Sequence, residues 1–508
     1  MLHSHPLGVR TFLPCGQRTV SMIVLVVGGV VSRLPAQTIS PRTVPVLMSQ
    51  QFEILPSDRA AMGGVSIALD DALLDPFVNP AKAMRVKAGM VSVAPFFHSM
   101  SDSRGGGRTL PLSGVATAGK WAFGGLFALQ QLDRAQLAWN APLSERTASN
   151  QYVTGILARE LGRGFAAGVS AYVANLEAEQ GVDQLYFGSD RIQQNGSAAD
   201  VRVGLTREWG KGRNFEAILL RSKFDMTHDV HWAGFTRWSP PDIRTPVAER
   251  NEHNRDHTTT WGAHTEYSMP VGTEGWKFGW LATVNRLSHP KIPDYRIFDV
   301  ATVPRDPGHT WAYNAGIGMS RALRDATFGF DVVMEPMYST TWAEAARDTV
   351  TARGTTIPKG GHTVDNTFRF SNALMRFGFE HMAPPTDSAT RVGFQFGLGV
   401  YSIRYRLGQT DLVRDSSRVQ NEHWMEWTPT VGFKVRGSGY EIRYALSVTC
   451  GPGGTCAPSC LIGCGGDVTA TPPSAPGDGG VIAAPTAALR LEGGRVTTQR
   501  LTISLRIR

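Results

Sequence analysis

Over residues 87–508, stretches that alternate apolar and polar side chains are joined by connections that are in turn very short and long. The short ones are Gly119-Lys120, Gly162-Arg163, Gly210-Lys211-Gly212, 271–275, Arg324-Asp325, 384–388 and Gly437-Ser438-Gly439. The long ones are polar, as in 404–423. A soluble sandwich has no cause to sort its loops this way. A transmembrane β-barrel does, because short turns face the periplasm and long loops face outside. Seven short turns make eight hairpins and about 16 strands, an even number with both chain ends on the periplasmic side.

The alternation also assigns faces. In 499–508, Leu501, Ile503, Leu505 and Ile507 share one side, and Thr502, Ser504, Arg506 and Arg508 the other. Tyr440, Ile442 and Tyr444 alternate with Glu441 and Arg443, and Phe328, Phe330 and Met334 with Gly329 and Asp331. Period two means a sheet with unlike faces. An arginine facing lipid at the midplane costs roughly 2–4 kcal/mol, far more than in a wet lumen. The apolar face therefore points outward, and Lys434, Arg436, Glu441, Arg443 and Arg506 are expected to point into the lumen. Trp121, Trp209, Trp261, Trp276, Trp311 and Trp424 lie near expected strand ends, where an aromatic girdle belongs. Glycines in 392–400 and a shift of the apolar face near Asn372 point to bends or bulges.

Arg10 and Arg18 followed by the apolar run 20–31 and Leu34-Pro35-Ala36 read as an export signal, 1–36. No later run reaches the roughly 20 apolar residues of a spanning helix. A net charge of +8 over 508 residues, with no basic run interleaved with aromatics, gives no nucleic-acid signature. Cys450, Cys456, Cys460 and Cys464 fall in one Gly/Pro-rich stretch without paired C-x-x-C spacing, so in an exported chain they are disulfide candidates rather than metal ligands. His228 and His231, and His253 and His257, read as loop histidines; no metal site and no cofactor are expected. No G-x-S-x-G, H-E-x-x-H or phosphate loop occurs, and an enzyme is not expected.

Residues 37–86 do not alternate. They contain Ala61-Met62-Gly63-Gly64, Ala68, Asp70-Asp71 and Asn79-Pro80-Ala81. Asp70-Asp71 fits a cation, a lumen arginine or a polar turn. This run resembles the segment that precedes the first strand in FadL-type outer-membrane transporters and in related PorV-like barrels. The resemblance implies a 14-stranded barrel with an N-terminal hatch in the lumen, and uptake of hydrophobic compounds through the wall. For the PorV-like branch it implies service to protein secretion. In this sequence the matching residues are Ala61, Met62, Gly63, Gly64, Ala68, Asp70, Asp71, Asn79, Pro80 and Ala81, with Met62, Gly63, Gly64, Asp70, Asp71, Asn79 and Pro80 as the hatch motif. Asp75-Pro76-Phe77 and the final Ile507-Arg508 depart from the family pattern.

The expectation is thus all-β: a transmembrane antiparallel β-barrel of 14–16 strands (87–508) with an N-terminal hatch or plug (37–86) behind a signal peptide. The expected role is passive uptake of a hydrophobic small-molecule ligand across the bacterial outer membrane. Outer-membrane lipid and the barrel-assembly machinery are the expected partners. The rival readings are a barrel serving secretion or surface attachment, and an adhesion barrel acting through its loops.

Overall fold

A computed structural model describes residues 53–507 apart from 88, 102–104, 135–146, 180–188, 211, 240–242, 248, 273, 298–299, 304–305, 346, 385–389 and 452–494. The expected leader, residues 37–52 of the expected hatch, and Cys456, Cys460 and Cys464 lie outside the described residues.

Sixteen antiparallel strands form the wall. Strand β1 runs Gly89–Val93 and resumes as Phe96–Met100. Then follow β2 (Gly105–Ala118), β3 (Trp121–Arg134), β4 (Thr147–Gly162), β5 (Phe165–Leu176), β6 (Arg191–Trp209) and β7 (Arg213–Trp232). The next are β8 (Arg250–Val271), β9 (Trp276–Ile297), β10 (Asp306–Ala322), β11 (Ala326–Glu344) and β12 (His362–Met382). Last come β13 (Arg391–Asp411), β14 (Ser416–Arg436), β15 (Tyr440–Cys450) and β16 (Arg495–Ile507). Each pairs with its sequence neighbour, and β1 closes the ring on β16 through Val93↔Ile503 and Phe96↔Arg500. Closure leaves no edge strand and no unpaired ladder facing lipid. The strand count is therefore sixteen rather than fourteen.

The tight turns fall where glycine spacing places them. At the β4–β5 turn, Gly162, Arg163 and Gly164 take φ of 89°, 54° and 78°, a left-handed run that glycine tolerates. All seven short connections lie at the end of the wall that also holds the start of β1 and the end of β16.

Faces follow the alternation. Leu110, Leu112, Phe123, Phe127, Val173, Val203, Ile317, Met334, Phe396 and Val431 are exposed on the outside, while the residues between them are small, polar or buried. This apolar outer band extends on β10 from Trp311 to Met319, nine residues, or roughly 27 Å along the strand. Allowing for tilt, that matches a barrel's lipid-facing band of about 25 Å. Strands β8 and β9 have 22 residues each and β12 to β14 have 21, about twice the length a bilayer needs, so this side of the wall projects beyond it.

Five details differ from the expectation. Residues 404–423 are not a long loop: pairing continues from Arg404↔His423 to Asp411↔Ser416, with a four-residue turn, because Tyr405, Leu407 and Trp424 supply a buried inner face. Trp424 is consequently interior rather than part of a girdle. Residues 252–257 belong to β8, and His228 and His231 to β7, so all four histidines are strand residues rather than loop residues. No bulge occurs at Asn372: the β12–β13 register is the same at Phe370↔Tyr405 and Ala373↔Ser402, and only the pairs between lapse. The glycine-rich 392–400 also pairs with β14 without a register shift.

Candidate functional site

The segment 53–86 is held against inward-facing side chains all around the ring, so it sits within the wall. Its own fold is short-range. Asp71 ties two stretches together by accepting from Ser57 Oγ (2.6 Å), Asp58 N (2.9 Å), Leu73 N (3.1 Å) and Leu74 N (3.0 Å). Pro76 opens the helical turn α1 (Asp75–Val78). Asn79 caps the 3-10 turn Pro80–Arg85 through Ala81 N and also donates to Glu216 of β7 at 2.9 Å. Gly63 and Gly64 take φ of 67° and 72°, and a Cβ on Gly63 would lie 2.7 Å from Phe377 O of β12.

The wall meets this segment with charge and with absent side chains. On β11, the fully buried Asp331 accepts from Ser66 N (2.7 Å) and Ile67 N (3.4 Å) and pairs with Arg376 of β12 (2.9 Å), which donates to Ser66 Oγ (3.0 Å). Thr430 of β14 donates to Ala61 O (2.8 Å) and accepts from Gly63 N (3.1 Å). Ser320 donates to Ala68 O, Arg500 to Leu55 O and Arg202 to Phe77 O. Inward glycines make room: a Cβ on Gly168 would lie 2.6 Å from Pro80, one on Gly318 2.7 Å from Ile67, and one on Gly397 would overlap the amide of Gly63. On the β2–β7 side the contact is apolar, with Ile54, Leu55 and Phe77 packed among Leu126, Tyr152, Ile156, Tyr172 and Phe224.

Asp70 pairs with Arg85 (3.2 Å) and Lys277 of β9 (3.3 Å); burial works against its charge, but these cations outweigh it and hold the carboxyl below its ordinary range. Lys82 is buried, which disfavours its charge, yet Glu216 (2.7 Å) and Asp75 (3.5 Å) more than compensate and raise its affinity for the proton. Burial pushes Asp75 up to about 6 against the pull of Lys82, and pushes Asp58 up to about 6 with help from Asp71. A small polar crevice at the short-turn end runs between Asp70, Lys82 and Arg85 on the segment and Glu216, Glu266 and Ser268 on the wall.

The expected lumen charges are brought together, with one exception. Lys434 contacts Glu380 (2.8 Å) and Glu441 (3.3 Å), Arg436 contacts Glu441 (3.0 Å), and Arg443 contacts Glu441 (2.6 Å) and Asp58 (2.7 Å). The cations are thus matched by carboxylates and tie the segment to the last strands. Arg506 is not part of this network: it is exposed at the rim, because β16 ends there. Cys450 is disulfide-bonded. His231 bonds Asp190 and Glu249, His257 bonds Asp225, and His228 bonds Gln194. No group of three or more metal-ligating side chains occurs among the described residues.

Sequence reasoning missed a second inner feature. Six residues beyond Asp331, Arg376, Gly397 and Thr430 on their strands, roughly 20 Å toward the long-connection end, the inner face turns apolar. Met337, Phe370, Ile403, Tyr405, Leu407 and Trp424 form one cluster, with Phe370 stacked on Tyr405 at 5.5 Å and Tyr405 edge-on to Trp424 at 6.5 Å. The wall ladder lapses beside it. Between β10 and β11 pairing stops at Ala312↔Met337 and resumes at Ala315↔Met334; between β12 and β13 it stops at Phe370↔Tyr405 and resumes at Ala373↔Ser402. Pro336 has no N–H to give, and the side chain of Asn372 takes the Arg404 N–H at 3.3 Å in place of a backbone carbonyl. Asn372 also donates to Tyr401 Oη (3.0 Å), which donates to Glu335 (2.9 Å). Pro336 within an alternating run was the sequence signal for this place.

A closed wall, apolar outside and polar within, defines a membrane-spanning β-barrel of the outer-membrane type. No family model matches the sequence, and no curated protein matches it. Among solved structures, a Pseudomonas aeruginosa FadL homologue aligns over 90% of this chain and 99% of its own at 10% identity, with a TM-score of 0.42. The Ralstonia pickettii toluene transporter TbuX aligns over 89% and 97% at 10% identity (TM-score 0.37), and a bacterial polysaccharide outer membrane secretin over 83% and 99% at 7% (TM-score 0.38). Likenesses of that size add nothing to what the barrel's own geometry establishes.

Proposed function

We propose that the protein is a non-enzymatic outer-membrane channel for passive uptake of hydrophobic small molecules, with segment 53–86 as its plug and both chain ends in the periplasm. The observation that carries this reading is the apolar inner cluster around Tyr405 and Trp424, set directly against the lapsed ladder at Asn372 and Pro336. An apolar solute gains burial there, at about 25 cal/mol per Å² removed from water. Two ladders lapse side by side next to this cluster, so a solute can leave sideways into lipid there without passing the plug. Uptake of a radiolabelled aromatic hydrocarbon and of a long-chain fatty acid by cells tests it. Trp424→Asp and Tyr405→Asp, each with normal heat-modifiable migration on a detergent gel, are expected to lower uptake of the ligand severalfold. Unchanged uptake in both variants, or co-purification with a secretion machine without any uptake, overturns the proposal.

A further inference from the structure

The outer face of the wall changes chemistry along one oblique row of cross-strand neighbours. Arg221 of β7 faces Trp261 of β8, which faces Arg286 of β9, which faces Trp311 of β10. Trp311 faces Tyr338 of β11, and Tyr338 faces Arg369 of β12. Arg369 faces Arg406 of β13, and Arg404 lies on the same outer face two residues away. All of these side chains are exposed. Arg221 and Arg286 stack on Trp261 and Trp311 at 5.0 and 5.7 Å. Tryptophan and tyrosine at this level mark the membrane–water interface, where lipid headgroups lie.

Arg369, Arg404 and Arg406 form a cluster of like charge on the outer face. Many of the wall's other charges are matched: Lys434, Arg443, Arg255 and Arg391 each have a carboxylate within 4.0 Å, while Arg221 and Arg286, which have none among the described residues, stand apart from each other over tryptophan rings. Among the described residues no carboxylate lies that close to any of these three. The nearest acid on their outward faces along β12 is Asp365, held by His362. Cross-strand neighbours lie about 5 Å apart and residues two along a strand about 7 Å apart. Like charges placed directly opposite destabilise a sheet. Three guanidinium groups in such a triangle, at headgroup height and without an internal counter-ion, form a site that an external polyanion completes.

We propose that Arg369, Arg404 and Arg406 bind the phosphorylated headgroup of an outer-leaflet glycolipid carrying two phosphates, which seats on the wall between β12 and β13. Guanidinium groups bind phosphate through paired N–H donors, and two phosphates match three clustered arginines better than one does. The aromatic row beside them receives the acyl and sugar surfaces. The choice of leaflet rests on the orientation given above, with the long connections outside.

Native mass spectrometry of the full chain in detergent tests this, with added bisphosphorylated lipid A, its dephosphorylated form, or phosphatidylglycerol. The wild type is expected to retain bisphosphorylated lipid A, to prefer it at least about tenfold over the dephosphorylated form, and to lose it as salt is raised. The triple variant R369Q/R404Q/R406Q is expected to lose that preference while keeping heat-modifiable migration. R221Q, away from the triangle, is expected to keep it. Equal retention of the phosphorylated and dephosphorylated forms, equal retention by the triple variant, or preference for phosphatidylglycerol each overturns the proposal. Retention is independent of solute uptake, so a failure here is distinguishable from a failure of the channel reading.

Discussion

The docking of the N-terminal segment can be tested at Asp331. Its carboxylate is fully buried, accepts two backbone N–H groups from Ser66 and Ile67, and neutralises Arg376 at 2.9 Å. Hydrogen bonds to a charged group are each worth about 1.5–3 kcal/mol, and removing one partner of a buried ion pair costs about 3–5 kcal/mol. Arg376 keeps some solvent contact and its bond to Ser66 Oγ, so the lower figure applies: Asp331→Ala should weaken docking by about 3 kcal/mol. At 1.4 kcal/mol per tenfold, the local opening equilibrium rises on the order of a hundredfold. Asp331→Asn retains an acceptor oxygen and loses only the charge, so its effect should be about tenfold. Hydrogen exchange of the detergent-solubilised protein, read by mass spectrometry, separates local from global effects. Peptides covering 62–72 should exchange faster in the order Asn, then Ala, while peptides from β2 to β7 stay at the wild-type rate. Unchanged exchange in 62–72, or equal acceleration in β2 to β7, would refute the assignment of Asp331 as a clip for this segment.

The pH dependence of docking follows from Asp75. Its carboxyl, pushed up to about 6 by burial from an ordinary 3.8, holds its proton more tightly when docked. Docking should therefore strengthen as pH falls from about 6 toward 4 and be weaker at pH 7. Asp75→Asn should flatten that slope, leaving the share of Asp58; exchange in 72–80 at pH 5 and 7, corrected for intrinsic rates, measures it. Gly168→Val and Gly397→Val place side chains where Pro80 and Gly63 lie, at an overpacking cost of about 1–3 kcal/mol each. They should raise ion conductance in planar bilayers while the barrel still shows heat-modifiable migration. Ile317→Arg, on the exposed outer face of β10, should cost about 2–4 kcal/mol in guanidinium unfolding from vesicles. An outward Thr259→Arg, beyond the aromatic row, should cost about 0–1 kcal/mol.

Much of the wall was legible because its signals are local. Turn glycines at Gly119, Gly162 and Gly212 mark where strands reverse, and alternation in 440–448 tells outside from inside within a few residues. The site was less legible because its contacts are remote: Ser66 and Asp331 are 265 residues apart, and Asn79 and Glu216 are 137 apart. Their meeting has a trace that period two conceals. Gly168, Gly204, Gly318, Gly378 and Gly397 all occupy inward positions. Each was open to reading as a bend, as the glycines of 392–400 were, yet the ladder through 391–411 keeps its register. What the glycines remove is side-chain volume at one depth of the lumen, and that depth is where the segment lies.

Arg506 and Trp424 show the complementary limit. Alternation places Arg506 on the inward side and position near a strand end assigns Trp424 to the outer girdle, yet both have inward parity. Parity gives the direction of a side chain but not its height along the axis, and in a barrel the height decides its surroundings. At the rim of β16 an inward arginine meets water, whereas six residues beyond Thr430 an inward tryptophan joins an apolar cluster. The row from Arg221 to Arg406 makes the same point on the outside. Three arginines that read as ordinary surface charge in the sequence become neighbours at headgroup height only once the registers of β12 and β13 are fixed. A barrel's sequence therefore states which way each residue faces, and the registers add which residues are neighbours across strands; it is that neighbourhood that assembles a binding surface from residues far apart in the chain.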